Sequence, residues 1–406
     1  MRGLIRLSFC GALLVLLLVP AAHGGGTPLA QQLAAALQSK RVRLAETGAV
    51  VYDLRTGRVV YALHAQLPLH PASNEKLATT FAALAALGPS FRIETDVLGD
   101  GTQTGTTWHG DIVLKGYGDP TLSAADLRSL AHQVARDGIT RVNGRVVGDE
   151  SWFDTRRIGA GWKRAFYLHE SPALSALIVD RGWDGRMETQ PALYAAQLFR
   201  AYLVDAGVSV RGPAQTGVAS SGATALGYVS SPPVSSLVRF MDTFSDNFTA
   251  EMLLKQVGAV QRGAGTAAAG AAEAHALLAA AGVPMRGVRI VDGSGLSSID
   301  RWTAAGIAGE LHQMWLDPDL RPYITSSLAI AGVSGTLEYR MRNSPAYAFV
   351  RAKTGTTDPA SALSGFVGDR YVFSVVENGH PVKTAAAQRT QDAFAEVLAR
   401  AAKDRG

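Results

Sequence analysis

The chain changes character twice, and this limits its fold more than any other feature. Both ends are written in helical and strand periods. The stretch from 95 to 230 is instead broken into short Gly-, Thr- and Val-rich pieces such as GDIVLKG and RVNGRVVGDESWF, ending near SSPPVSSL. Ends that match each other and differ from the middle point to one α/β domain interrupted by an insertion. The bounds read from this change are 26–95 and 235–406 for the interrupted domain and 96–234 for a β-rich insert. A chain of 406 residues has room for both.

Within the ends, residues 30 to 43 read as a helix. GAVVYDLRTGRVVYAL reads as a hairpin turning at Arg55-Thr56-Gly57. PASNEKLATTFAALAAL reads as a helix with Pro71 ahead of its first turn. SDNFTAEMLLKQVGAV and AAAGAAEAHALLAAAGV read as two more helices. AYAFVRAKTGT, ASALSGFVG and RYVFSVVENG read as three strands, and TAAAQRTQDAFAEVLARAA as a closing amphipathic helix. No internal repeat is present at solenoid spacing.

Charge and cysteine exclude several function classes. The net charge is +5 and the basic residues are dispersed, with no run dense enough to form a patch, so nucleic acid is not an expected partner. Arg2 and Arg6 precede the apolar run LLVLLLVPAA and the small residues AAHGGG, the pattern of a secretory signal over residues 1–25. The run is shorter than the roughly 20 residues a spanning helix needs. An uncleaved anchor is the alternative. Export to the periplasm or cell envelope is expected, with the mature chain soluble or peripherally membrane-associated. The single cysteine, Cys10, lies inside this signal, so thiol catalysis and cysteine-ligated metal are excluded. The nine histidines form no His-Glu-x-x-His pattern, and no metal or other cofactor is expected. His169 and His380 read as surface or loop residues.

Three short patterns bear chemistry. Lysine occurs eight times, and only Lys76 has a serine (Ser73) three places before it. Asparagine occurs five times, and only Asn247 has a serine (Ser245) two places before it. Lys-Thr-Gly occurs once, at Lys353, Thr354 and Gly355. Each alone has an ordinary reading. Ser73 fits a helix cap, Lys76 a solvated lysine, Ser245-Asp246-Asn247 a capping cluster and Lys353-Thr354-Gly355 a strand end. Their order, each in a suitable element, is far more specific. A serine hydroxyl is a poor nucleophile until a neighbour takes its proton. Lys76 could take it only as a neutral amine, a state favoured by burial and by a second cation such as Lys353. Glu75, two places after Ser73, reads as a surface residue. Asp292 and Ser294 read as parts of a glycine-forced turn.

The ordered trio resembles the serine β-lactamase and penicillin-binding-protein superfamily. Ser73 and Ser245 stand 172 positions apart, which leaves room for an extra domain between the first two motifs. GYGDPTL (116–122), SDNFTAEMLL (245–254), DGSGLS (292–297), AGVSGTLEYR (331–340) and VRAKTGTTDPASALSGFVG (350–368) look like the D-alanyl-D-alanine carboxypeptidase/endopeptidase family, the low-molecular-mass class C penicillin-binding proteins. The resemblance implies an α/β (α+β) fold of the β-lactamase/transpeptidase type, an antiparallel sheet flanked by helices and interrupted by the insert. It implies Ser73 as nucleophile, Lys76 as its base and Ser245 as the relay that protonates the leaving amine. Asn247 would bind the substrate amide, and Lys353, Thr354 and Thr356 the terminal carboxylate. The backbone N–H groups of Ser73 and Thr356 would form the oxyanion hole. Peptidoglycan stem peptides are the implied substrate and β-lactams the implied covalent inhibitors, with a homo-oligomer possible. The competing readings are a β-lactamase or esterase on the same fold, and a non-catalytic peptidoglycan-binding protein. The first lacks a Glu-x-x-x-Asn element to supply a deacylation base. The second is at odds with intact Ser73, Lys76, Ser245, Asn247 and Lys353.

Overall fold

A computed structural model describes residues 27–183 and 187–404. The secretory-signal reading and Cys10 lie outside the described residues. In chain order, helix α1 (Pro28–Ala36) leads into the hairpin β1 (Thr47–Asp53) and β2 (Val59–Leu63). A 3₁₀ turn (Ala72–Glu75) runs into α2 (Lys76–Ala86). Next come β3 (Glu94–Thr104), β4 (Thr107–Gly116), α3 (Ala124–Arg136), β5 (Arg141–Val142) and β6 (Val146–Asp149). These are followed by α4 (Pro191–Asp205), β7 (Ser209–Val210), β8 (Ala214–Thr216) and β9 (Thr224–Ser230). The chain then returns through α5 (Val234–Phe244), α6 (Asn247–Arg262), α7 (Ala267–Ala280), α8 (Ala304–Leu316) and α9 (Arg321–Ser327). It closes with β10 (Ala329–Ile330), β11 (Val350–Thr357), β12 (Ala360–Val367), β13 (Tyr371–Asn378) and α10 (Thr384–Lys403).

The two ends of the sequence build one six-stranded sheet in the order β10-β11-β12-β13-β1-β2, antiparallel throughout. Its strands are apolar on both faces because helices cover both. Val50, Tyr52, Phe366, Val372 and Val376 pack against α2 and α5–α8. The alternate positions Ala49, Val51, Leu363, Phe373 and Val375 pack against α1 and α10. The period-2 alternation thus feeds two separate cores. The hairpin turn sits where expected. Asp53 Oδ1 accepts from the backbone N–H of Arg55 at 2.9 Å and Thr56 at 3.2 Å, and Gly57 takes a φ of 68°.

The middle of the chain makes a second, seven-stranded sheet that shares no strand with the first. It is less purely β than the sequence suggested. α3, opened by a Ser123/Asp126 capping box, and α4 cover one face, where Leu127, Leu130, Ala195 and Phe199 are buried. α1 is also shorter than its reading. Leu29, Leu33 and Leu37 are buried one turn apart, but Lys40 and Arg41 offer no apolar side chain for a further turn, and the helix stops at Ala36. The basic residues are not all dispersed in space. Segments 40–43 and 378–389 come together along one groove.

Candidate active site

The trio of motifs converges on one cleft of about 310 Å³, whose lining includes Ser73, Ser245, Asn247, Thr354 and Thr356. Ser73 lies in the 3₁₀ turn rather than in α2. In a 3₁₀ turn residues i and i+3 eclipse, so Lys76 stands directly over Ser73. Lys76 Nζ donates to Ser73 Oγ at 3.1 Å, to Asn247 Oδ1 at 2.8 Å and to the Ser294 carbonyl at 2.7 Å. The Asn247 amide is oriented by its other end, Nδ2 donating to the Glu170 carbonyl at 3.0 Å. Two of the three partners of Lys76 can therefore only accept. If the ammonium loses one proton, the lone pair faces Ser73, the one partner with a proton to give.

Ser245 ends α5 in a left-handed conformation (φ 60°, ψ 39°), and Asp246 then caps α6 by accepting from Thr249 N–H at 2.8 Å. This break between two helices turns Ser245 into the cleft. Its Oγ accepts from Lys353 Nζ at 2.8 Å. β11 brings Lys353 against the turn that carries Ser73, where Asn74 Nδ2 donates to the Lys353 carbonyl at 3.1 Å. Gly355 is required by that approach, since a Cβ there would lie 2.9 Å from Pro71 O and 3.1 Å from Ser73 N. Thr354 Oγ1 bonds Thr336 Oγ1 at 2.8 Å, and Thr356 is exposed on the cleft rim.

Both lysines are fully enclosed, at 0% exposure. Burial lowers Lys76 to about 8, against the opposing pull of Asp292, Asp246, Glu251 and Asp242. Lys353 is driven well below the usual lysine range by burial and then by the charge of Lys76. Lys353 is the cation expected to depress Lys76, and the repulsion between the two ammonium groups acts on both alike. Two ammonium groups enclosed together cannot both hold their protons readily, so a neutral amine is within reach near neutral pH.

Sequence reasoning missed much of the support. Glu75, read as surface, is fully buried, because the 3₁₀ turn rotates it inward to accept from Trp302 Nε1 at 2.7 Å. Its carboxyl is pushed well above the usual range, first by burial. Asp292 is the hub of the DGSGLS turn. It accepts from Trp162 Nε1 at 2.6 Å, Ser294 Oγ at 3.2 Å, Gly295 N at 2.8 Å and Ser297 N at 2.8 Å. Those bonds fix the Ser294 carbonyl that Lys76 uses. His70 is buried, with Nδ1 accepting from Ala72 N–H at 3.1 Å and Nε2 facing the Ser297 carbonyl at 2.9 Å. Ala72 holds a φ of 48°, so this bond steadies a strained residue next to Ser73. The glycines of DGSGLS signalled a turn, whereas nothing in the sequence pointed to His70, Trp162 or Trp302. His169 and His380 are exposed, as read.

Comparison with known proteins gives one consistent answer. The family profile described as "D-Ala-D-Ala carboxypeptidase 3 (S13) family" matches residues 29–185 and 183–401. A D-alanyl-D-alanine carboxypeptidase of Actinomadura sp. (strain R39) is 32% identical over 92% of this chain and 85% of its own length. The fold matches penicillin binding protein 4 (dacB) from Haemophilus influenzae, with a TM-score of 0.82 and 19% identity, over 93% of this chain and 99% of that one. It also matches penicillin G-acylated Bd3459, a predatory endopeptidase from Bdellovibrio bacteriovorus in complex with the immunity protein Bd3460. That match has a TM-score of 0.56 and 16% identity, over 88% of this chain and 92% of that one.

Proposed function

The chain belongs to the D-Ala-D-Ala carboxypeptidase 3 (S13) family, and from that membership and the geometry of the cleft we infer that it is a serine DD-peptidase acting on peptidoglycan. It hydrolyses the terminal D-Ala-D-Ala bond of stem peptides, and D-Ala cross-links where these reach the cleft. The observation that carries this reading is the hydrogen bond from enclosed Lys76 to Ser73 at 3.1 Å, beside a second enclosed lysine bonded to Ser245 at 2.8 Å.

The substrate's terminal carboxylate binds against Lys353, Thr354 and Thr356. That negative charge favours the protonated form of Lys353. A charged Lys353 in turn favours neutral Lys76, so substrate binding helps to make the base. Lys76 takes the hydroxyl proton as Ser73 Oγ bonds to the carbonyl carbon of the penultimate D-Ala. The oxyanion is held by the backbone N–H groups of Ser73 and Thr356. Asn247 holds the substrate amide while its Oδ1 keeps Lys76 in place. Collapse breaks the C–N bond, and the departing amine receives a proton relayed through Ser245 from the lysine pair. Water then attacks the ester, releasing the shortened peptide and restoring the Ser73 hydroxyl. β-Lactams present the same carboxylate and carbonyl and acylate the same oxygen.

The catalytic unit in this reading is 26–95 with 235–406, and 96–234 is a separate insert. Two sheets that share no strand support the division. The leader reading places the enzyme outside the cytoplasm, in the periplasm or envelope. Among the described residues no helix is long and apolar enough to cross a membrane. The test is labelling of the purified protein with a fluorescent penicillin, followed by peptide mapping. A stable adduct on Ser73 that is absent from Ser73→Ala is expected. Rapid penicillin turnover would move the assignment to a β-lactamase. No adduct and no turnover would leave a non-catalytic peptidoglycan binder.

A further inference from the structure

Outside the catalytic cleft, charge is concentrated in one place. A groove of about 810 Å³ runs between the segment after α1 and the start of α10, with Lys40, Arg41, Arg43, Lys383 and Arg389 along it. All five are exposed. Only Arg43 has an ion-pair partner among the described residues, Glu46 at 2.9 Å. The nearby acids do not neutralise the rest. Asp358 is engaged by Lys163, and Glu377 is buried against Thr390 and Gln391. Five cations against one facing carboxylate leave about four positive charges here, on a chain whose whole net charge is +5. The first turn of α10 adds its own partial positive charge.

The groove adjoins the cleft. Gln388 lines the cleft and the next residue, Arg389, lines the groove. Asn378, in the groove wall, clamps the backbone of His70 with bonds of 2.8 and 3.0 Å, three positions before Ser73. A long substrate that leaves the cleft past Gln388 would meet these cations. On the reading given above, each stem peptide whose terminal acyl group is not tied up in a cross-link ends in a free carboxylate, before or after cleavage, so a peptidoglycan strand is a polyanion with charges spaced along it.

We propose that this groove is an extended binding surface for the polymeric substrate, gripping carboxylates of stem peptides neighbouring the one in the cleft. The inference rests on the DD-peptidase reading and deepens it. The enzyme is built to work on intact strands, and its preference for polymer over free peptide comes from charge. A short D-Ala-D-Ala peptide fills only the cleft and does not use the groove.

The experiment compares wild type with Arg41→Glu/Lys383→Glu/Arg389→Glu on two substrates. The first is a soluble peptide ending in D-Ala-D-Ala, and the second is purified insoluble peptidoglycan, read both by co-sedimentation and by D-Ala release. Expected is an unchanged rate on the peptide, with binding and release on the polymer falling about tenfold or more at low salt. The gap should close at about 1 M salt, where screening reaches within about 3 Å. The neutral triple variant with Gln at the same positions should fall in between, and it stands in if the reversal fails to fold. Equal losses on both substrates would overturn the proposal, as would unchanged polymer binding. Loss of binding to phosphatidylglycerol vesicles with polymer binding intact would also overturn it and make the groove a membrane contact. If wild type cleaves neither substrate and takes no penicillin, the catalytic reading falls. Co-sedimentation then still decides whether the groove binds polymer.

Discussion

The molecule keeps its cations in two opposite environments. Lys76 and Lys353 are enclosed and hydrogen-bonded, and both titrate below the usual lysine range. Lys40, Arg41, Lys383 and Arg389 lie in open solvent a short way off and have no ion-pair partner among the described residues. The first pair is placed where an amine can give up a proton and act as a base. The second group is placed where its charge faces open solvent and acts at a distance. The same residue type does chemistry in one place and recognition in the other, and burial makes the difference.

The sharpest separation comes from removing single groups on each side. Ser73→Ala should abolish penicillin acylation and peptide hydrolysis, a loss on the order of 10⁶ in kcat. Lys76→Met should lower the acylation rate by about 10² to 10⁴, the range for loss of a positioned general base. Lys383→Met, a lysine of the groove, should leave kcat/KM for a short peptide unchanged. Stopped-flow acylation and peptide turnover read all three variants. A comparable loss from Lys383→Met would break the distinction between the two environments.

A structural contrast inside the site comes next in size. Asp292 accepts four hydrogen bonds, including one from distant Trp162, so Asp292→Asn should destabilise the fold by about 2–4 kcal/mol and loosen the Ser294 carbonyl. Glu75 is equally buried, but burial pushes its carboxyl well above the usual range, toward the neutral form that an amide resembles. Glu75→Gln should therefore cost less than about 1 kcal/mol. Denaturant melts of both variants check the ordering.

His70 gives the smallest effect, set by pH. Burial holds its pKa below 6.5, and its neutral Nδ1 accepts from Ala72 N–H. The unfolded chain takes up the proton more readily than the folded one. The stabilising contribution is therefore whole above pH 6.5 and is lost as pH falls through the lowered folded value. His70→Asn, whose Oδ1 can take the place of Nδ1, should flatten that dependence. His70→Ala should remove it and slow acylation as well. Melts between pH 5 and 7.5 give the readout.

The sequence made the three motifs legible for a physical reason. Ser73, Lys76, Ser245, Asn247 and Lys353 sit in local patterns that also dictate a turn, a helix break and a strand, so motif and element are read together. The hairpin, the last three strands and the closing helix follow from period and turn residues in the same way. What escaped depends on contacts distant in sequence. Trp302 and Glu75 meet across 227 positions, and Trp162 and Asp292 across 130. The basic groove was invisible for the same reason. Its cations come from segments over 330 positions apart, each too short to look like a patch. Helices α3 and α4, which cover the second sheet, were hidden by the Gly- and Val-rich strands around them, which dominated the reading of that region.

The account turns on Lys76 as a base made available by burial. The most direct measurement is the second-order rate of Ser73 acylation by penicillin as a function of pH, followed by intact-protein mass spectrometry. Protonated Lys76 cannot accept the hydroxyl proton, so the rate should rise with pH through an apparent value of about 8. It should keep that profile when the groove cations are reversed. A flat profile, or an adduct on any residue other than Ser73, would contradict the account.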